Sequence, residues 1–214
     1  CGLMPVSSPF SVVLAQDTVS VGLPSVLSAK ILRTPIVIRV PGDFAWEQGV
    51  QRFGVKEGID DFQNKKYGFR VEFLRKIQSF VVRHASFVIT PSDYFKKVVL
   101  GWGVKENKIQ RIYNGVSIPD ILESEKFTKD TIISSGRLVP WKGFDILIKT
   151  ISKIDADLFI IGDGDDKKRL EDLVLQNEVS DKVAFTGSLK REDLLAKISG
   201  AKIFVLPSSF ESFS

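Results

Sequence analysis

Two cations stand five residues apart in Ser135-Gly-Arg-Leu-Val-Pro-Trp-Lys-Gly143: Arg137, directly after Gly136, and Lys142, directly before Gly143. A guanidinium grips phosphate oxygens in a fork, and an ammonium adds a point charge. Held in one short loop, such a pair suits a diphosphate. The rival reading is two solvated cations in an ordinary surface loop. Further along, Gly162-Asp-Gly164 is a tight turn in which glycine lets a backbone approach a ligand closely.

The elements that must position these groups alternate. Thr131-Ile-Ile-Ser134 reads as a strand, and Phe144, Leu147, Ile148 and Ile151 keep helical spacing behind the loop. The cations therefore sit at the carboxyl end of a strand, where open α/β sheets bind ligands. Asp157–Ile161 is a second strand, running into the glycine turn. Residues 165–176 read as a helix, with Asp165 and Asp166 in its first turn where anions suit the dipole. Val183–Gly187 and Ala201–Pro207 are two more strands, with a helix over 192–199 between them. In the first half, Ser11–Ala15 and Phe87–Thr90 read as strands, and Ser92 as the N-cap of a helix over 93–100. Strands alternating with helices give an α/β fold with parallel, doubly wound sheets.

Taken in order, GRLVPWKG, FIIGDG, VAFTG and FVLPSSFESF resemble the carboxyl-terminal domain of family 4 GT-B glycosyltransferases, the group 1 domain, from residue 131 to 214. Lys108–Val116 is similar to the family's last amino-domain strand and the Asn-Gly turn that leaves it. The resemblance implies two Rossmann-like domains, both incomplete. A partial acceptor-side domain spans 1–120 and a partial donor domain spans 121–214. It implies transfer of a sugar from a nucleotide-sugar donor to a hydroxyl acceptor (a sugar, polysaccharide or lipid-linked group), with retention, in glycan or glycolipid biosynthesis. Arg137 and Lys142 would then stabilise charge on the leaving diphosphate. Gly136, Gly162, Asp163 and Gly164 would line the donor pocket, and Glu211 would face the donor sugar.

Departures from the pattern matter. Where many members carry a histidine after a strand, this chain has Pro41-Gly42-Asp43, so that role does not transfer, and Asp43 stands only as an acceptor-side candidate. The single histidine, His84, closes a helix and reads as a packing residue. The family's second glutamate, eight positions beyond Glu211, falls outside Ser214. The expectation is a fragment of a longer enzyme, cut at both ends and itself inactive. Two alternatives stay open: a GT-B phosphorylase or sugar-phosphate synthase-like enzyme, and a non-catalytic nucleotide-sugar-binding module.

Composition excludes other classes. One cysteine leaves no disulfide framework and no thiolate cluster for zinc. Asp163-Gly-Asp165 and Asp155-Ala-Asp157 have the spacing of a metal-holding pair, but that spacing is common by chance, and no metal or cofactor is expected. The third glycine of the dinucleotide fingerprint is replaced by Lys167, and the glycine-lysine order of a P-loop is reversed. Residues 1–120 carry a net charge of +6 and residues 121–214 one of −2. The basic excess gathers over residues 65–83, where Phe73, Ile77, Phe80 and Val81 share one helical face. The first reading is a core-facing helix with a solvated basic back; contact with an anionic membrane surface is the second. No nucleic-acid module appears. The expected location is cytoplasmic, with peripheral contact on the inner membrane face as its extension.

Overall fold

Short runs of β-branched and aromatic residues, such as Ile36-Val-Ile-Arg39 and Phe87-Val-Ile-Thr90, form the strands, and apolar-spaced segments between them form the helices. The computed structural model describes residues 11–117 and 124–213. The chain divides into two compact units. One comprises the residues up to Gly115 together with those from Glu211 onward; the other is Val116–Phe210. The border between the two units follows Gly115, and the segment from Glu211 onward groups with the first.

The first unit is a parallel sheet in the order β1 (Val13–Ala15), β2 (Ile36–Arg39), β3 (Phe87–Thr90), β4 (Ile109–Arg111). Its helices are α1 (Gly22–Ile31), α2 (Phe44–Arg52), α3 (Ile59–Asn64), α4 (Phe69–His84) and α5 (Asp93–Gly101). Ser92 caps α5 as expected, its hydroxyl accepting from Phe95 N at 3.2 Å. The strand order runs one way only, so these strands contain no reversal.

The face of α4 is a correction. Its buried residues are Val71, Gln78, Val81 and Val82. Of the four residues expected to face the core, only Val81 is fully buried; Ile77 and Phe80 are half-buried, and Phe73 is 52% exposed. The aromatic arc was mistaken for the core arc because the real one includes a polar residue. Gln78 is buried for a reason: its Nε2 donates to Asp43 Oδ1 (3.0 Å) and its Oε1 accepts from Ala45 N (3.1 Å).

The second unit is also parallel, in the order β7 (Val183–Gly187), β6 (Asp157–Ile161), β5 (Thr131–Ser135), β8 (Ile203–Phe204). The chain adds β6 and β7 on one side of β5, then returns to place β8 on the other. Strand order reverses at β5, which makes its carboxyl end the switch point where ligands of such sheets bind. Helices α6 (Phe144–Ile151) and α7 (Lys167–Gln176) bury Ile148, Ile151, Leu170 and Val174 against Leu158 and Ile160 of β6. Each such fully buried aliphatic side chain contributes about 1.5–3 kcal/mol. Helix α8 (Arg191–Gly200) joins β7 to β8.

Two boundaries differ from expectation. The last strand is only Ile203–Phe204, paired with Ile132 and Ile133 of β5. Helix α7 starts at Lys167, not 165, and Asp166 does not cap it. Its carboxylate is taken instead by Arg169 in a two-pronged ion pair, both contacts at 2.6 Å, and this bond raises the Arg169 pKa further.

Candidate functional site

At the switch point three loops are laced together by their backbones. Gly136 N donates to Ile161 O at 2.9 Å, Leu138 N to Asp163 O at 2.9 Å, and Gly162 N to Gly187 O at 2.9 Å. The loops leaving β5, β6 and β7 thus continue the sheet's pairing beyond its strands. This closeness requires glycine twice. Gly162 has φ +137°, and a Cβ there would lie 2.0 Å from Gly136 O; one on Gly164 would lie 2.3 Å from Leu138 O.

A cleft of about 320 Å³ opens at these loops, lined among others by Gly136, Arg137, Gly162 and Asp163. Four of the residues singled out from the sequence therefore meet in one place. Gly164 lies beneath Leu138. The Lys142 side chain runs beside Gly136, its Cδ and Cε 3.7 Å from where a Cβ would stand. Arg137 is exposed, with its guanidinium 5.6 Å from the centre of the Trp141 ring. Trp141 is buried, and its carbonyl accepts from Ser209 N at 2.9 Å, tying the cation loop to the segment after β8. The Asp163 carboxylate turns back on its own loop and accepts from Gly164 N at 2.8 Å.

Sequence reasoning missed Ser188, Leu189 and Leu194, which form the β7 side of the cleft. The signal was available: Ser188 and Leu189 directly follow Gly187, at the carboxyl end of a third parallel strand.

Asp43 and Glu211 belong to the first unit. Glu211 is half-buried, and beside it Ser212 O accepts from Ser92 Oγ at 2.8 Å, while Phe213 packs on Tyr113 with ring centres 5.5 Å apart. Asp43 is fully buried. It is the N-cap of α2: Oδ1 accepts from Trp46 N (3.1 Å) and Gln78 Nε2 (3.0 Å), and Oδ2 from Gln63 Nε2 (2.8 Å). Gln63 Oε1 in turn accepts from Trp102 Nε1 at 3.1 Å. Burial pushes the Asp43 carboxyl above its usual range, against the opposing pull of these donors. The arrangement is that of a helix-positioning group.

Asp43→Ala would orphan three donors in the interior, each worth about 1–3 kcal/mol, and remove a helix cap. The expected loss is about 3 kcal/mol or more of unfolding free energy by urea titration. Unchanged stability with lost turnover would instead make Asp43 a reacting group.

Among the described residues no group of three or more His, Cys, Asp or Glu is placed to hold a metal, and no helix is long and apolar enough to cross a membrane.

The chain is similar to known proteins in both sequence and fold. The chain is 32% identical over 145 residues to an uncharacterized glycosyltransferase of Methanocaldococcus jannaschii, covering 59% of this chain and 37% of that one. It is 29% identical over 154 residues to the GDP-mannose-dependent monoacylated alpha-(1-6)-phosphatidylinositol monomannoside mannosyltransferase of Corynebacterium glutamicum, covering 67% and 38%. The chain therefore spans well under half the length of these relatives. Among solved structures, Anabaena HepE in complex with UDP and glucose superposes with a TM-score of 0.72 at 18% identity, over 95% of this chain and 54% of that one. Sucrose-phosphate synthase of Thermosynechococcus elongatus gives 0.69 at 18% identity, over 95% and 51%. At such identity the likeness is one of fold, the GT-B class. The description "Glycosyl transferases group 1" matches residues 118–214. "Glycosyltransferase Family 4" matches residues 7–118, more than half of the 214, and the chain belongs to that family.

Proposed function

We propose that the protein from which this chain comes transfers a sugar, with retention, from a nucleotide-sugar donor to a hydroxyl of a membrane-anchored acceptor in glycan or glycolipid biosynthesis. The observation that carries the reading is the cleft at the β5 switch point, lined by Gly136, Arg137, Gly162 and Asp163, with the Lys142 side chain running beside Gly136. A nucleoside diphosphate leaving the anomeric carbon gathers negative charge. Preorganised cations act more strongly on that charge than on the intact donor, so they lower the barrier. Arg137 and Lys142 take this role, and the backbone at Gly136 and Gly162–Gly164 holds the donor. Glu211 accepts hydrogen bonds from the donor sugar's hydroxyls.

Support for the donor class comes from relatives and fold neighbours named for GDP-mannose and for UDP with glucose. A relative named for a phosphatidylinositol mannoside supports the anchored acceptor. The enzyme works on the cytoplasmic side, in peripheral contact with the membrane.

The test is a panel of nucleotide sugars given to the full-length protein, reading released nucleoside diphosphate. At least one donor should be consumed in an acceptor-dependent way. Release should continue in excess chelator, because the cations supply the neutralisation that a metal otherwise gives. Release that stops on chelation and returns with Mg²⁺ or Mn²⁺ would replace the cation reading with a metal site.

A further inference from the structure

The backbone on both sides of Arg137 is fixed. Gly136 N donates to Ile161 O and Leu138 N to Asp163 O, each at 2.9 Å, and Leu138 O accepts from Asp166 N at 3.1 Å. What remains to move is the arginine side chain itself, which is long, exposed and rich in rotamers. A cation stabilises a developing charge best when it is already in place as the charge appears. A side chain that wandered over its rotamers would lose that advantage. The ring of Trp141 is placed to limit it, with its centre 5.6 Å from the guanidinium carbon. Indole is the strongest partner for a cation among the aromatic side chains, and a planar guanidinium stacks on its face.

The ring is not free to follow the cation. Trp141 is 7% exposed and lies in the short turn Pro140–Lys142. Pro140 opens that turn with a restricted φ. Gly143 closes it at φ +70°, so near the next segment that a Cβ there would lie 2.4 Å from Pro207 O. The Trp141 carbonyl accepts from Ser209 twice, from N at 2.9 Å and from Oγ at 3.3 Å. Proline, left-handed glycine and the doubled bond to Ser209 thus anchor the platform. Arg137 lines the cleft, and Trp141 stands behind it, outside the lining.

We infer that Trp141 is a positioning residue of the donor site, its indole face holding the Arg137 guanidinium on the cleft for the diphosphate. The inference rests on the proposed diphosphate role of Arg137 and adds the group that aims it. A ring that only filled space would act through its shape. This one acts through the negative charge on its face.

The experiment is calorimetry of UDP and GDP binding to the full-length protein, prepared with fluorotryptophans of rising fluorine content. Fluorine drains negative charge from the ring face and changes its shape very little. Affinity for the better-bound nucleotide should fall stepwise, by about two- to fivefold in all, the worth of an exposed cation–π contact. Trp46 and Trp102 are replaced too, so the same series is run on Arg137→Ala, where fluorine should change nothing. In ordinary protein Trp141→Leu should cost at least the same factor, and Trp141→Phe, which keeps a ring, should cost less. The fluorine series still decides the matter if Trp141→Leu folds poorly. Affinity that ignores fluorine content, or that falls equally in Arg137→Ala, overturns the inference and leaves Trp141 a packing residue. The two readings fail differently. Arg137→Ala binding both nucleotides as the parent does would sink the diphosphate role and this inference with it. A weakened Arg137→Ala with a flat fluorine response would sink this inference alone.

Discussion

Replacing Arg137 by alanine in the full-length protein is expected to lower kcat by about 10²-fold or more, and Lys142→Ala by a similar factor. A factor of 10² corresponds to about 2.7 kcal/mol of lost transition-state stabilisation. Its guanidinium lies exposed over Trp141, a contact worth about 0.5–1 kcal/mol, well below that factor. Turnover should therefore fall much further than stability. Arg137→Lys should recover only part of the rate, since a point charge cannot reproduce the fork. Single-turnover release of nucleoside diphosphate at saturating donor checks the factor. Losses below about fivefold for both alanine variants would return these residues to ordinary solvated loop cations, since a preorganised donor is worth more.

Gly162→Ala is expected to damage the site through its backbone. The added Cβ would stand 2.0 Å from Gly136 O, at a φ of +137° that side chains rarely adopt. Because the obstacle is a carbonyl rather than a flexible side chain, the loop itself must move. That movement breaks the Gly136 N–Ile161 O and Leu138 N–Asp163 O bonds that hold the cation loop. A strained residue and two lost hydrogen bonds come to about 3 kcal/mol or more, roughly a 10 °C drop in Tm for a chain of this size. Affinity for nucleoside diphosphate should fall with it, read by calorimetry. A variant with parental Tm and parental affinity would show that the turn does not hold the cleft's geometry.

Much of the second unit could be read directly. The strands β5, β6 and β7 appear at their observed places because each is an apolar run ended by polar or glycine residues. The cation loop and the glycine turn follow from them, since both lie just past strands of a parallel sheet. Ser188 and Leu189 obeyed the same rule and were overlooked only because their side chains suggest no chemistry.

Three features were decided by tertiary structure. Asp43 reads in the sequence as a loop carboxylate, but Gln63 and Gln78, 20 and 35 residues away, donate their amide N–H groups to it and hold it in place as the cap of α2. Helix α4 has two arcs of suitable hydrophobicity. Residue spacing cannot choose between them, because the choice rests on a buried glutamine whose partners lie on α2. Glu211 follows the last strand of the second unit in sequence, yet its segment packs with the first through Ser92 and Tyr113, contacts that span more than a hundred residues or bring together distant rings. Sequence by itself determined the elements and the groups at their ends, because those depend on local pattern. Which carboxylate is buried, which helix face meets water and which unit holds a terminal loop depend on partners far along the chain, and only the folded structure brings those partners together.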